Sequence, residues 1–243
     1  MANWWQAFLE LGNSFINNIG FVFTCLAIIA GLYIAAKVAE HFLPDPRKIS
    51  PVRKLTITAI CAAIAAVLML LEVPLAFLAP SFYKLDFSEL PVLLCGFYLG
   101  PAGAIACEAL KVVLKLLMKG TTTAFIGDFA NFAVGCSMVL PAVIIYHLGR
   151  KKKNAIIGLS VGVLSMTIFG SAFNALYLLP KFADMFMQME DILAMGQAIY
   201  PQINSIWSLV LLCVVPLNLI KGTAVSLLTI LLYKRVARPL FSK

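Results

Sequence analysis

The stretch SIWSLVLLCVVPLNLIKGTAVSLLTILLY, residues 205–233, decides the fold class. It outlasts the roughly 20 residues that a helix needs to cross a bilayer. Lys221 is its only charged side chain. Similar apolar runs occupy about 18–43, 55–78, 124–148 and 155–179. Such continuous runs predict membrane-spanning helices, since a membrane barrel would show short alternating segments instead. The whole chain agrees: of 243 residues 62% are hydrophobic and 12% charged, with a mean hydropathy of +0.96. A soluble domain carries about 25% charged residues. The expected class is an all-α integral membrane protein in a lipid bilayer.

The run from Leu90 to Met118 is too long for one span, and Gly100-Pro101 divides it. Proline cannot continue a helix without losing a backbone hydrogen bond, so a short helix over about 89–99 and a second over about 102–118 are expected. A loop over about 181–204 carries Lys181, Asp184, Glu190 and Asp191. The formal charge of +8 could signal a nucleic-acid partner, but the positions of the 19 Lys and Arg say otherwise. Twelve of them fall in the 47–54 linker, the 150–153 run and the C-terminal tail, which alternate spans place on one side. Lysine and arginine mark the cytoplasmic side, so the charge reads as topology: N-terminus outside, C-terminus cytoplasmic, no nucleic acid. Glu10 is the only charge before the first run, which lacks the basic start of a cleavable signal peptide. The six cysteines and two histidines show no metal-ligand spacing and read as buried thiols and helix-end imidazoles, with no metal site.

Polar groups inside the spans carry the functional signal, because each ionised one costs roughly 2.5–3.5 kcal/mol to insert. Glu108, Lys111 and Lys115 share one helix face; a local Glu108–Lys111 pair with Lys115 reaching outward accounts for them. Asp128 near a helix start complements the macrodipole. Lys221 has no acid within one turn, follows Pro216 and shares a face with Asn218. It either serves a ligand or pairs with Glu108 or Asp128 of another helix. Asn131 and Asn174 are apolar-span amides beside aromatics. They either bond between helices or, with Lys221, surround a planar heterocycle rich in carbonyls and ring nitrogens. A cationic ligand would call for cavity carboxylates, which the last three spans lack beyond Asp128. Asp86-Phe87-Ser88-Glu89 has the spacing of a capping box, and Tyr83 and Lys84 precede it as candidates for a loop over a ligand. The pairs Ala59/Ala63 and Ala62/Ala66 flatten a helix face for close approach of another backbone, inside this chain or in a partner. Gly96/Gly100 and Gly158/Gly162 read as internal packing. No Walker, HExxH or Gly-x-Ser-x-Gly pattern occurs, so no catalytic residue is assigned and any ATP hydrolysis belongs to another subunit.

The run Lys84–Pro91, then Gly100-Pro101, Asn131-Phe132 and Pro216-Leu217-Asn218-Leu219-Ile220-Lys221-Gly222, resembles the riboflavin-specific substrate-binding (S) components of energy-coupling factor (ECF) transporters. The similarity covers about 50–235. It implies a six-helix S-component bundle over 45–243; the additional transmembrane helix expected within 1–44 departs from that pattern. The resemblance also implies riboflavin as transported ligand with no cofactor, and association with a transmembrane scaffold subunit and two ATPase subunits. The ligand contacts implied are Lys84 and Asp86 in the first outer loop, Asn131, Asn174, Tyr177, Asn218 and Lys221. The docking face implied is Ala59, Ala62, Ala63 and Ala66. Alternatives are an S component for folate or thiamine, a stand-alone secondary transporter, and a membrane enzyme built on Glu108, Lys111 and Asp128.

Overall fold

The computed structural model describes Gly12, Ile16, residues 19–44 and residues 49–241, with 234–241 described for the backbone alone. The expectations placed on Glu10, Asn18, residues 45–48 and the basic side chains of the C-terminal tail lie outside the described residues. Helix α1 spans Ile19–His41, α2 Pro51–Leu70, α3 Glu89–Leu99, α4 Pro101–Lys119 and α5 Ile126–His147. Helix α6, Lys152–Phe173, runs through a π turn at Asn174–Leu178 into α7, Leu179–Met185. After α8, Met189–Gln197, the last long helix begins as α9, Ile206–Leu209, passes a π turn at Val210–Val214 and continues as α10, Val215–Phe241. Five of these segments are long and apolar enough to cross a membrane. Helix α3 is shorter, and α4 carries the charges of Glu108, Lys111, Lys115 and Lys119.

Local chemistry sets the boundaries. The Ser50 hydroxyl accepts the Arg53 N–H at the start of α2, and Pro51 occupies the first turn, where its missing N–H costs nothing. Gly100 separates α3 from α4 with φ +104°, a region closed to most side chains, and Pro101 then opens α4. Pro216 frees the carbonyl four residues back, and the π turn at 210–214 lies immediately before it.

Two sequence expectations change. The second span ends at Leu70 instead of running to 78, and residues 71–88 form a strap whose antiparallel strands β1 (Val73–Pro74) and β2 (Lys84–Leu85) pair Val73 with Leu85. Pro74 and Pro80 and the acid Glu72 break the apolar helix there. The 181–204 loop is partly helical, because α7 carries the preceding span to Met185 and α8 follows.

The glycine pairs pack internally. A β-carbon on Gly158 or Gly162 would lie 2.5 or 2.6 Å from the backbone oxygens of Ala142 or Met138 in α5, and one on Gly96 would meet Val143 at 2.5 Å. Small residues let backbones approach where lipid offers no hydrophobic drive. The alanine pairs divide: Ala62 and Ala66 are fully buried in the bundle, whereas Ala59 and Ala63 are exposed. All six cysteines are free thiols, Cys61 half-buried and the others buried.

Candidate functional site

One end of the bundle encloses a cavity of about 360 Å³, within the roughly 300–1,000 Å³ range of small-molecule sites. The strap supplies Tyr83, Lys84 and Asp86, α4 supplies Lys115 and Lys119, and α5 supplies Asp128, Asn131 and Val134. The π turn and α7 add Asn174, Leu178, Leu179 and Phe182, and α10 adds Leu217, Asn218 and Lys221. Six of the seven residues expected from the sequence line it; Tyr177 does not, its ring lying instead 5.2 Å from that of Phe173.

Lys221 pairs with Asp86 at 2.9 Å and Glu89 at 3.1 Å, not with Glu108 or Asp128 as the paired reading of the sequence had it. Both acids arrive from the strap and α3, more than 130 residues away in sequence. Asp86 does not form the expected capping box, because its Oδ1 accepts the Ser88 N–H at 2.8 Å and the Ser88 side chain caps nothing. The last three spans bring the cavity no carboxylate beyond Asp128, as expected, but the strap and α3 add Glu72, Asp86 and Glu89.

Behind it, Lys111 is fully buried and donates to Glu108 at 2.6 Å, to Ser88 Oγ at 3.1 Å and to Glu89 at 3.5 Å. The local Glu108–Lys111 pair expected from their spacing is therefore present. Lys115 does not reach outward; it turns inward to Asp128 and to the carbonyl of Gly120. Glu72, unnoticed in sequence because it fell inside a span read as too long, accepts Lys84 and Lys119, each at 2.6 Å.

Lysines and carboxylates are evenly matched around the cavity: Lys84, Lys115, Lys119 and Lys221 against Glu72, Asp86, Glu89 and Asp128. Burial raises the Asp86 carboxyl, but the Lys221 and Lys111 charges and the Ser88 hydrogen bond outweigh it and hold it at about 2. Burial likewise raises Glu72, and Lys119 and Lys84 bring it below its ordinary range. Ionised pairs of this kind offset each other's desolvation. Among the described residues, Glu89 Oε2 has the Lys221 ion pair but no hydrogen bond, and the amide atoms Asn131 Oδ1 and Asn218 Nδ2 are buried with neither. Gly170 makes room for Asn218, since a β-carbon there would sit 2.8 Å from its Nδ2. Asn174 is already engaged, accepting from the Tyr83 hydroxyl at 2.9 Å and donating to the Gly170 carbonyl at 2.7 Å.

A helical membrane bundle with a charge-balanced cavity at one end and spare buried amides defines a membrane component that holds a small neutral polar molecule. The family description "ECF transporter, substrate-specific component" matches residues 53–233, and the chain belongs to that family. It is 35% identical over 185 residues to the riboflavin transporter RibU of Staphylococcus aureus, covering 76% of this chain and 90% of that protein. It is 29% identical over 183 residues to the riboflavin transporter FmnP of Bacillus subtilis, covering 75% and 90%. A solved structure described as the S component of a bacterial ECF transporter superposes with a TM-score of 0.62 at 34% identity, over 79% of this chain and 99% of that one. These relatives are transport proteins, not enzymes, and this chain is a multi-pass protein of the cell membrane.

Proposed function

We propose that this chain is the riboflavin-binding subunit of an ECF transporter, with riboflavin as cargo and not cofactor. The observation that carries the reading is the cavity whose lysines all have carboxylate partners while Asn131 and Asn218 keep unpaired amide atoms. The isoalloxazine ring is uncharged and edged with carbonyls, ring nitrogens and one N–H, which suits amides that can present either a donor or an acceptor. Folate brings carboxylates and thiamine a cation, and each would have to displace an existing ion pair. The names of the two relatives support the same choice. Asn131, Asn218 and Lys221 are assigned to the ring edge, Phe82, Leu178 and Phe182 to its faces, and Lys84, Asp86 and Asn174 to the mouth and the ribityl chain. Tyr177 is assigned no contact.

Arg53, Lys54 and residues 150–153 lie at the helix ends away from the cavity. By the positive-inside rule the cavity faces outward, the N-terminus lies outside and the C-terminus in the cytoplasm. The exposed Ala59/Ala63 face of α2 is assigned to the scaffold subunit, with two ATPases completing the transporter; Ala62 and Ala66 are assigned to internal packing. Helix α1, within the N-terminal segment 1–44, is assigned as an addition to the binding bundle of 45–243. The test is fluorescence titration of the purified protein with riboflavin, folate and thiamine. Quenching of riboflavin at micromolar concentration or below, with neither other vitamin competing, is the expected result. No quenching, or competition by thiamine, refutes the assignment.

A further inference from the structure

We propose that Glu40 is a positioning residue: it fastens the N-terminal helix α1 to the start of α4 and so fixes the depth at which α4 presents its lysines to the cavity. The family match begins at residue 53, so α1 lies outside it. It nevertheless packs along its length through one stripe, Phe21, Cys25, Ile29, Leu32, Ala36 and Glu40, spaced three or four residues apart. Near one end the Phe21 ring meets that of Phe129, with centroids 6.0 Å apart, and further along Ala36 packs with Ala102 and Ile105. The opposite face, with Phe23, Ile34 and Val38, is exposed.

At the other end of the stripe, Glu40 Oε1 accepts the Ala102 N–H at 2.9 Å. Amides in the first turn of a helix lack intrahelical partners, and Pro101 has none to offer, so Ala102 is the first that needs an acceptor. A carboxylate there also suits the macrodipole. Gly100 completes the fit, since a β-carbon on it would stand 2.7 Å from the same oxygen. The helix capped in this way carries Lys111, Lys115 and Lys119, which hold Glu108, Asp128 and Glu72. A slip of α4 would shift Lys115 against Asp128 and Lys119 against Glu72, while the Glu108–Lys111 pair, both members of which lie on α4, would travel with the helix.

The affinity arm of the test rests on the riboflavin reading; the stability arm does not, and a wild-type protein that binds no riboflavin indicts that reading alone. In the purified full chain, Glu40→Ala should lower the thermal midpoint by roughly 2–6 °C, the effect of a lost cap in a chain of this size. It should also weaken riboflavin about three- to tenfold. Glu40→Gln, which keeps an acceptor, should stay within about twofold of wild type. Glu40→Asp, which keeps the charge but shortens the arm, should behave as Glu40→Ala and serves if that variant does not fold. Equal loss in Gln and Ala variants, no loss in either, or a midpoint shift with unchanged affinity overturns the positioning role.

Discussion

Around the cavity, each of four lysines meets a carboxylate within 2.5–2.9 Å, whereas the outer face of α2 exposes Leu55, Ile60, Ile64 and Val67 around Ala59 and Ala63, uncovered by any of the described residues. The first region is expensive to build in a membrane and persists only because every charge is answered. The second costs nothing in lipid and offers only small side chains that let another backbone approach closely. Under the proposed function, chemical selectivity is assigned to the cavity end and assembly to the flank.

The comparison breaks most severely at Lys221. Lys221→Met leaves Asp86 buried without its ion-pair partner and Glu89 with only the longer Lys111 contact at 3.5 Å, a loss of roughly 3–5 kcal/mol. Thermal unfolding should show a large drop in midpoint, and riboflavin titration a loss of 100-fold or more (about 2.7 kcal/mol). A stable variant with wild-type affinity would remove Lys221 from the site. Next comes Ala62→Leu, which overpacks a fully buried position and should cost about 1–3 kcal/mol in stability. Ala59→Leu, three residues earlier but exposed, should leave both stability and riboflavin affinity unchanged while blocking uptake in cells that carry the coupling subunits. Uptake at the wild-type rate in that variant would take the outer face away from the scaffold.

Asn218→Ala should weaken riboflavin by about 1 kcal/mol, the usual worth of one neutral hydrogen bond, with stability retained because its Nδ2 has no protein partner to lose. Isothermal titration measures it, and an unchanged constant would return Asn218 to packing. The smallest effect is expected at the mouth. Lys119→Ala breaks an exposed pair worth about 0–1 kcal/mol and leaves Lys84 on Glu72. Glu72 titrates below its ordinary range when folded, so its contribution is present at neutral pH and fades only as pH falls below about 4.

Much of the fold was legible from hydropathy alone, because a span must be apolar for a length that lipid dictates. The 89–99 helix and its break at Gly100-Pro101 fall where proline chemistry puts them. The strap at 71–88 was not legible, since Leu75-Ala76-Phe77-Leu78 resumes the apolar run beyond Glu72 and Pro74 and only pairing with Lys84-Leu85 turns Val73-Pro74 into a hairpin strand. The split between the two alanine pairs was also hidden. A repeat of four marks two faces equally, and burial alone distinguishes them.

By itself, then, the sequence determined that this is a helical membrane protein, how its charges distribute along the chain and that Lys221 and the asparagines stand where lipid would not tolerate them idle. Tertiary structure alone decided who answers Lys221. Its partners Asp86 and Glu89 lie far away along the chain, and a charge pair is set by distance in space, which no local pattern encodes. The same holds for Glu40 and Ala102, joined across 62 residues. Hydropathy is a property of a segment; a closed ion pair is a property of the packed bundle.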